Sequence, residues 1–510
     1  VGQTTIPAVV RDAAAKFGAA EALVDGDVRL GFDALLQRVQ AVARAFAARG
    51  VQPGDRVAVT LPNTSHWVLT ALGALYAGAS LVPVNTRFTA AETVDLLVRS
   101  RAKALVVAAD FLGADRHAAI VATGAELPDL ATVVRVPLER PHRPVPGTLG
   151  WDEFLDLAPQ VPLAEAERRA DAVRPDDVSD ILFTSGTTGR SKGVLSAHRQ
   201  VVGVAAAWAE CGRVTADDRY LVINPFFHSF GYKAGIVVGL LTGATIVPQA
   251  VFDVRAALEL IERERISVLP GAPTIFQSLL NEPERGDVSS LRLAVTGAAD
   301  VPASLVRRMR ADLGFDIVLT AYGLTEAVVV TMCRPGDDAE LVARTSGRAT
   351  ADFEVAIQGS PGEVVVRGPN VMLGYLDDPD ATAKAVDEQG WLHTGDVGEL
   401  DADGNLTLTG RLKDMYICGG FNVYPAEVEH ALTELEGVRD VAVVGVPDER
   451  LGEVGKAFVV GTGLTERDVL AFCRERLANY KTPRFVAFLD ELPRNASGKV
   501  LKRLLTEENA

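Results

Sequence analysis

The sequence predicts an α/β protein: a large N-terminal domain of mostly parallel sheets covered by helices, a small β-subdomain, and a small α+β unit at the C-terminus. Three observations predict it. Short β-branched runs alternate with longer amphipathic stretches from Val57 to Thr320. Beyond Thr345 the texture changes to strands bounded by turn residues, Gly362 to Gly368 and Gly404 to Leu408. The last stretch combines an apolar run, Val441 to Val446, with a helical pattern from Glu466 to Leu477. Strand–helix alternation favours parallel sheets with covered faces, because each crossover needs a helix.

In chain order, Val57 to Thr60 reads as a strand and His66 to Ala77 as a helix. Leu81 to Val84 is a strand, Ala90 to Arg99 a helix, and Lys103 to Ala108 a strand. The Pro- and Arg-rich segment Glu139 to Gly147 reads as a surface loop. Ile181 to Phe183, Thr245 to Val247, Ser267 to Leu269, Arg292 to Thr296 and Ile317 to Thr320 read as buried strands. Asp253 to Arg265 and Ala303 to Leu313 are the helices between them. Ligands in such folds gather at the carboxyl ends of the strands.

One of those ends carries Thr184-Ser185-Gly186-Thr187-Thr188-Gly189-Arg190-Ser191-Lys192-Gly193, directly after Ile181 to Phe183. These ten residues hold three Gly, five hydroxyl side chains and two cations, with no acid. Backbone N–H groups, hydroxyls and a cation together suit phosphate oxygens. A flexible surface loop is the plainer alternative. The common NTPase loop needs Gly before the Lys and Ser or Thr after it. Here Ser191 precedes Lys192 and Gly193 follows, so ordinary ATPases, kinases and dehydrogenases are disfavoured.

Composition excludes other classes. With 510 residues the chain should form more than one domain. A net charge of -16 argues against a nucleic-acid binder and gives no support to docking on anionic membranes. The four Cys (211, 333, 418 and 473) form no C-x-x-C pair and read as buried apolar residues. The apolar run Ala234 to Pro248 is broken by Gly and Thr and falls short of a membrane span. No signal-peptide pattern is seen, so the cytoplasm is the expected location.

Four stretches follow the phosphate loop in order. They are Ala321-Tyr322-Gly323-Leu324-Thr325-Glu326 and Trp391-Leu392-His393-Thr394-Gly395-Asp396, then Gly410 to Asp414 running into Gly419 to Glu429, and finally Pro493 to Lys499. Together they resemble the adenylate-forming superfamily of acyl-CoA synthetases, peptide-synthetase adenylation domains and luciferases. The resemblance covers essentially the whole chain. It implies a two-step reaction, in which a carboxylate attacks the α-phosphorus of ATP and a thiol then displaces AMP from the acyl-adenylate. It also implies an ATP- and acyl-binding domain over residues 1–411, a hinge at 412–413 centred on Lys413, and a mobile domain over 414–510.

The resemblance also implies residue roles; without it, Lys499 would read as a solvated Lys near Lys502 and Arg503. Lys499 would act on the α-phosphate, neutralising charge in the transition state. Glu326 would hold Mg²⁺, which takes only one or two protein carboxylates. Thr325 would contact phosphate and Tyr322 would stack on adenine, although a buried core Tyr is the competing reading. Asp396 and Arg411 resemble the ribose contacts. Gly297, Ala298, Ala299 and Gly323 would line adenine and the acyl group. Thr184, Ser185, Gly186, Thr187, Thr188, Gly189 and Lys192 would clamp the β- and γ-phosphates. His228 matches a position near the substrate carboxylate, where it would orient the acid. No base is needed, because a carboxylic acid is already ionised near pH 7. Gly419, Gly420 and Phe421 resemble the lining of the pantetheine tunnel, so CoA is the expected thiol. Leu451 stands where some relatives place an aromatic against the CoA adenine. The expected partners are thus a small carboxylic acid, ATP and CoA. A homodimer is compatible with a sequence that does not set an oligomeric state.

The acyl pocket is read from Phe227, His228, Phe230, Tyr232, Ala298, Gly323 and Leu324, a mix that suits a bulky apolar group. Activation of an amino acid would want a buried Asp for the ammonium, and none stands out. The runs Asn224 to Lys233, Ile181 to Gln200, Met415 to Glu429 and Asp448 to Val460 resemble the steroid-degradation ligases of the family. That implies a methylhydrindanedione propanoate, left from the sterol C and D rings, as substrate. Medium- or long-chain fatty acids are the alternative. A catalytically silent nucleotide- or acyl-binding protein is a third reading, for which Lys499 would have little use. A luciferase-type oxygenase would share the adenylation motifs.

Overall fold

The computed structural model describes residues 4–139, 144–184, 191–297, 301–418, 421–495 and 499–507, with the side chains of 421, 422 and 507 set aside. Two large sheets form the N-terminal part. One has nine strands, running in space from Arg348–Ala349 through Thr331–Met332, Ile317–Tyr322, Leu293–Gly297, Val268–Gly271, Arg219–Val222, Thr245–Pro248 and Glu21–Asp25 to Val28–Gly31. Its centre is parallel and its two ends are antiparallel. The other has eight strands, from Gly374–Tyr375 through Lys192–Ala197, Val178–Thr184, Ser80–Pro83, Arg56–Thr60, Ala102–Ala108 and Thr132–Val136 to Leu149–Gly150. The buried strands expected between Val57 and Thr320 are all present within these sheets, with bounds shifted by up to three residues. Burial on both faces explains why they read as unbroken apolar segments.

The helices covering these sheets are of mixed character. Ser65–Tyr76 is apolar on every side, and all of it but His66 is buried. A helix without a polar face must be covered all round. Ala90–Ser100 instead carries an apolar stripe and begins with a capping box, Thr89 with Glu92. The apolar run Ala234 to Pro248 resolves into part of a π-helical turn (Tyr232–Val237), a short helix and a strand. Single π-turns are rare and tend to mark functional sites.

A four-stranded antiparallel sheet follows: Glu354–Gln358, Glu363–Arg367, Leu392–Leu400 and Leu406–Arg411. The C-terminal part has its own five-stranded sheet, in which Val438–Asp448 and Gly452–Gly461 form a long antiparallel pair. Its apolar core runs from Tyr416 to Leu505, whereas the main core ends at Leu406. Helix Pro425–Thr433 lies against the Leu406–Arg411 strand. All four cysteines are buried and unbridged, as their spacing suggested. Among the described residues, no helix is long and apolar enough to cross a membrane.

Candidate active site

The phosphate stretch spans an antiparallel hairpin. Thr184 and Lys192 are Cα partners at its loop end, and Thr184 Oγ1 donates to the Lys192 carbonyl at 3.4 Å. Ser185, Gly186, Thr187, Thr188 and Gly189 lie outside the described residues. The Lys192 ammonium stands 4.8 Å above the ring of Tyr375. The Tyr375 hydroxyl in turn donates to Glu326 Oε1 at 2.8 Å. Burial and the Glu326 charge raise the Tyr375 pKa, so it remains a donor. Motif reading missed Tyr375. Its place depends on strand Gly374–Tyr375 pairing with Val194 and Leu195, a contact between segments far apart in sequence.

Glu326 stands on a tight turn that starts at Gly323. A Cβ at Gly323 would meet the Val328 carbonyl oxygen at 1.8 Å, so a side chain there would break the turn. The Met372 amide donates to the Glu326 carbonyl at 2.7 Å and fixes the backbone. Glu326 is half-buried, and among the described residues no group of three or more His, Cys, Asp or Glu could hold a metal. A single carboxylate fits a magnesium ion that takes its other ligands from phosphates and water.

Asp396 is 4% exposed and is held from two sides. Tyr322 donates to its Oδ2 at 2.6 Å, and Arg411 Nε lies 2.8 Å from its Oδ1. Strand register explains this, because Asp396 and Arg411 are Cα partners. Tyr322 is 7% exposed, and its ring belongs to the main core. The ring is buried, as the core reading of Tyr322 expected, and its hydroxyl anchors the Asp396 carboxylate. Burial, then Asp396, pushes the Tyr322 pKa well above its ordinary value.

Behind Asp396, Glu363 accepts from the Gly395 amide at 3.0 Å and faces His393 Nδ1 at 2.9 Å. Asp387 lies 3.6 Å from His393 Nε2. The Glu363 hydrogen bond, aided by Asp387, raises the His393 pKa above 6.5. A raised folded value stabilises below the unfolded pKa and is lost as pH rises through the folded one. The Tm difference between wild type and His393→Gln is therefore expected to shrink as pH climbs from about 6.5 through the raised folded value. A difference independent of pH would show that His393 is neutral throughout.

Lys499 is brought to this site from 88 positions beyond Arg411. Its amide donates to Asn495 Oδ1 at 2.9 Å, closing the short turn on which it stands; residues 496–498 lie outside the described residues. The side chain reaches solvent but is crowded by protein. Desolvation, with repulsion from Arg411 and Lys413, pushes its pKa down to about 8 against the attraction of Asp414 and Asp396. Lys413 is lowered for the same reasons: desolvation first, then Arg411. Lys499, Lys413 and Arg411 thus share one electrostatic neighbourhood with Asp396.

His228 caps the short turn Ser229–Gly231, its Nδ1 accepting from the Phe230 amide at 3.2 Å. Protein encloses most of the ring. This burial, with the charge of Lys233, pushes its pKa down to about 4. Phe227, Phe230, Leu324 and Thr325 are half-buried, and Phe230 packs edge-on against Trp208 at 5.3 Å. Tyr232 is different. It is fully buried against Trp67, with ring centroids 5.6 Å apart, and lies in the main core. Gly297 ends its strand, whereas Ala298, Ala299, Gly419, Gly420 and the Phe421 side chain fall outside the described residues. A buried acid does exist here, Asp180, but Lys233 neutralises it, so it offers no free carboxylate to an ammonium group.

Comparison with known proteins places the whole chain in a family. Residues 10–376 match the family described as AMP-binding enzyme, and 427–499 match the AMP-binding enzyme C-terminal domain. A relative from Rhodococcus jostii (strain RHA1), named 3-[(3aS,4S,7aS)-7a-methyl-1,5-dioxo-octahydro-1H-inden-4-yl]propanoyl:CoA ligase, is 61% identical, with 99% of each chain covered. One of the same name from Mycobacterium tuberculosis is 58% identical over 99% of this chain and 98% of its own. Among solved structures, ATP-bound MatB from Rhodopseudomonas palustris superposes with a TM-score of 0.86 at 31% identity, covering 99% of both chains. The motif order, the two cores and these relatives converge: the chain belongs to the AMP-binding enzyme family and is an ATP-dependent acyl-CoA ligase.

Proposed function

We propose that the acid it activates is a methylhydrindanedione propanoate, the bicyclic remnant of the sterol C and D rings, and that the enzyme acts in steroid catabolism in the cytoplasm. The observation that carries the substrate is the 61% identity, over the whole chain, to a ligase named for that acid. The half-buried Phe227 and Phe230, which flank His228 in the chain, and the half-buried Leu324 suit an apolar ring system.

In the first step the ionised carboxylate attacks the α-phosphorus. His228, neutral at pH 7 with a pKa of about 4, orients the acid without adding charge. Asp396 and Arg411 take the ribose, and the Thr184–Lys192 hairpin holds the phosphates that leave as pyrophosphate. Magnesium held by Glu326 would shield the triphosphate charge. Lys499, mostly protonated at pH 7, neutralises the charge that builds on the α-phosphate. CoA then displaces AMP.

A screen for CoA thioesters by mass spectrometry, with fatty, aryl and steroid-derived acids offered side by side, tests the substrate. Preference for straight-chain fatty acids would overturn it. For the second step we infer a rotation of the 414–510 unit about Lys413. Lys413→Pro, which restricts the backbone there, is expected to slow thioester formation by about tenfold or more while adenylation changes little. Equal slowing of both steps would argue against the rotation.

A further inference from the structure

Lys233 and Asp180 are both fully buried, with Nζ 2.9 Å from Oδ1. The contact is an ion pair and not an aligned hydrogen bond, because Oδ1 has no properly directed donor. Lys233 Nζ donates instead to Ser196 Oγ at 2.8 Å, and Ser179 Oγ donates to Asp180 Oδ2 at 2.8 Å. Neither residue touches the reacting groups described above. Yet a fully buried ion pair is a poor way to gain stability, since a well-packed apolar pair does as well or better. Its geometry suggests another use.

Asp180 and Ser196 are Cα partners toward the base of the hairpin whose loop end is Thr184 and Lys192. Each is four residues from that end. Lys233 comes from elsewhere, the π-turn Tyr232–Val237, five residues after His228. The backbone between His228 and Lys233 has little freedom. The Gly231 and Tyr232 amides donate to the His228 carbonyl at 3.1 and 3.0 Å. A Cβ at Gly231 would lie 2.3 Å from the Pro225 carbonyl oxygen. One cation therefore ties the phosphate hairpin to the segment that presents the acid-facing His228. The neighbouring Tyr232 hydroxyl is buried without a hydrogen-bond partner and feels the Asp180 charge, so the polar cluster is centred on the pair.

We propose that Asp180–Lys233 is a positioning pair that holds the phosphate hairpin and the His228 segment in register, so that the bound carboxylate and the α-phosphate meet at attacking distance. The proposal rests on the site assignment given above. It predicts a loss in the reaction step and not in binding, because small errors of placement cost rate: a misplacement of about 1 Å can cost ~100-fold.

The test is the double substitution Asp180→Leu/Lys233→Met, which replaces the pair by apolar side chains of similar size. Expected are an undiminished Tm, near wild-type dissociation constants for ATP and for the methylhydrindanedione propanoate measured separately, and a pyrophosphate–ATP exchange kcat lowered by about tenfold or more. Thioester formation from supplied acyl-adenylate should stay close to wild type. A folded double variant with wild-type exchange kcat would overturn the proposal, as would a loss confined to binding. Should the double variant fail to fold, Ser196→Ala decides. It removes one anchor of Lys233 and is expected to lower exchange kcat about threefold at unchanged affinities, with a lower Tm because the buried ammonium loses its hydrogen-bond acceptor; an unchanged kcat overturns the proposal. His228→Ala in the same assay separates the two levels. If it leaves the acid's affinity and kcat intact, the site assignment fails, whatever the pair does.

Discussion

Lys499→Ala is expected to lower the rate of acyl-adenylate formation by about 100- to 1000-fold, the usual cost of removing one preorganised group from a developing charge. Thioester formation from supplied acyl-adenylate should change little, since the α-phosphate then carries AMP away as a leaving group and the thiol brings its own nucleophile. Pyrophosphate–ATP exchange measures the first step, and CoA thioester release the second. Equal losses in both would remove Lys499 from the role assigned to it. The crowding that depresses its pKa to about 8 adds a second signature. The ammonium form is the useful one, so adenylation should fall as pH rises through about 8. Arg stays charged across that range, so Lys499→Arg should lose this alkaline limb even if its rate is lower throughout.

Asp396→Ala is expected to cost about 100-fold in kcat/KM for ATP. Hydrogen bonds to a charged group are each worth ~1.5–3 kcal/mol, and about 1.4 kcal/mol is tenfold in rate or affinity. If Asp396 takes the ribose as proposed, losing the acceptor for both ribose hydroxyls brings the total to about 3 kcal/mol. Asp396→Asn keeps the shape and one acceptor oxygen, so about a tenfold loss is expected from charge alone. Both effects should appear in the ATP titration, with KM for the acid at saturating ATP little altered. An ATP titration unchanged by either substitution would remove the ribose from Asp396.

The motifs were legible because each is local. A hydroxyl- and Gly-rich turn after an apolar strand, a Tyr-Gly-Leu-Thr-Glu turn, and the short segments around Asp396, Arg411 and Lys499 all lie within a few residues of chain. The strands were legible because burial on both faces leaves unbroken apolar runs. Tyr375 was not legible, because it matters only through its pairing with Val194 and its reach to Glu326. Tyr232 reads from its neighbours as a pocket residue, and the π-turn sends it into the core against Trp67. The partition of the parallel strands was equally hidden. Glu21–Asp25 joins Thr245–Pro248, more than 200 positions away, and not the strands that follow it in the chain.

By itself, then, the sequence determined the class of fold, the order of the motifs and, through the family resemblance those motifs carry, the expected chemistry of adenylation and thiol transfer. These depend on residue type and local spacing, which a linear chain displays directly. Only the tertiary structure decided which charges share a site: Lys499 beside Arg411 and Lys413, Asp396 between Tyr322 and Arg411, and Lys233 against Asp180. Coulomb attraction, burial and hydrogen bonding act over a few ångströms of space, and the distance along the chain says little about that space until the sheets have paired.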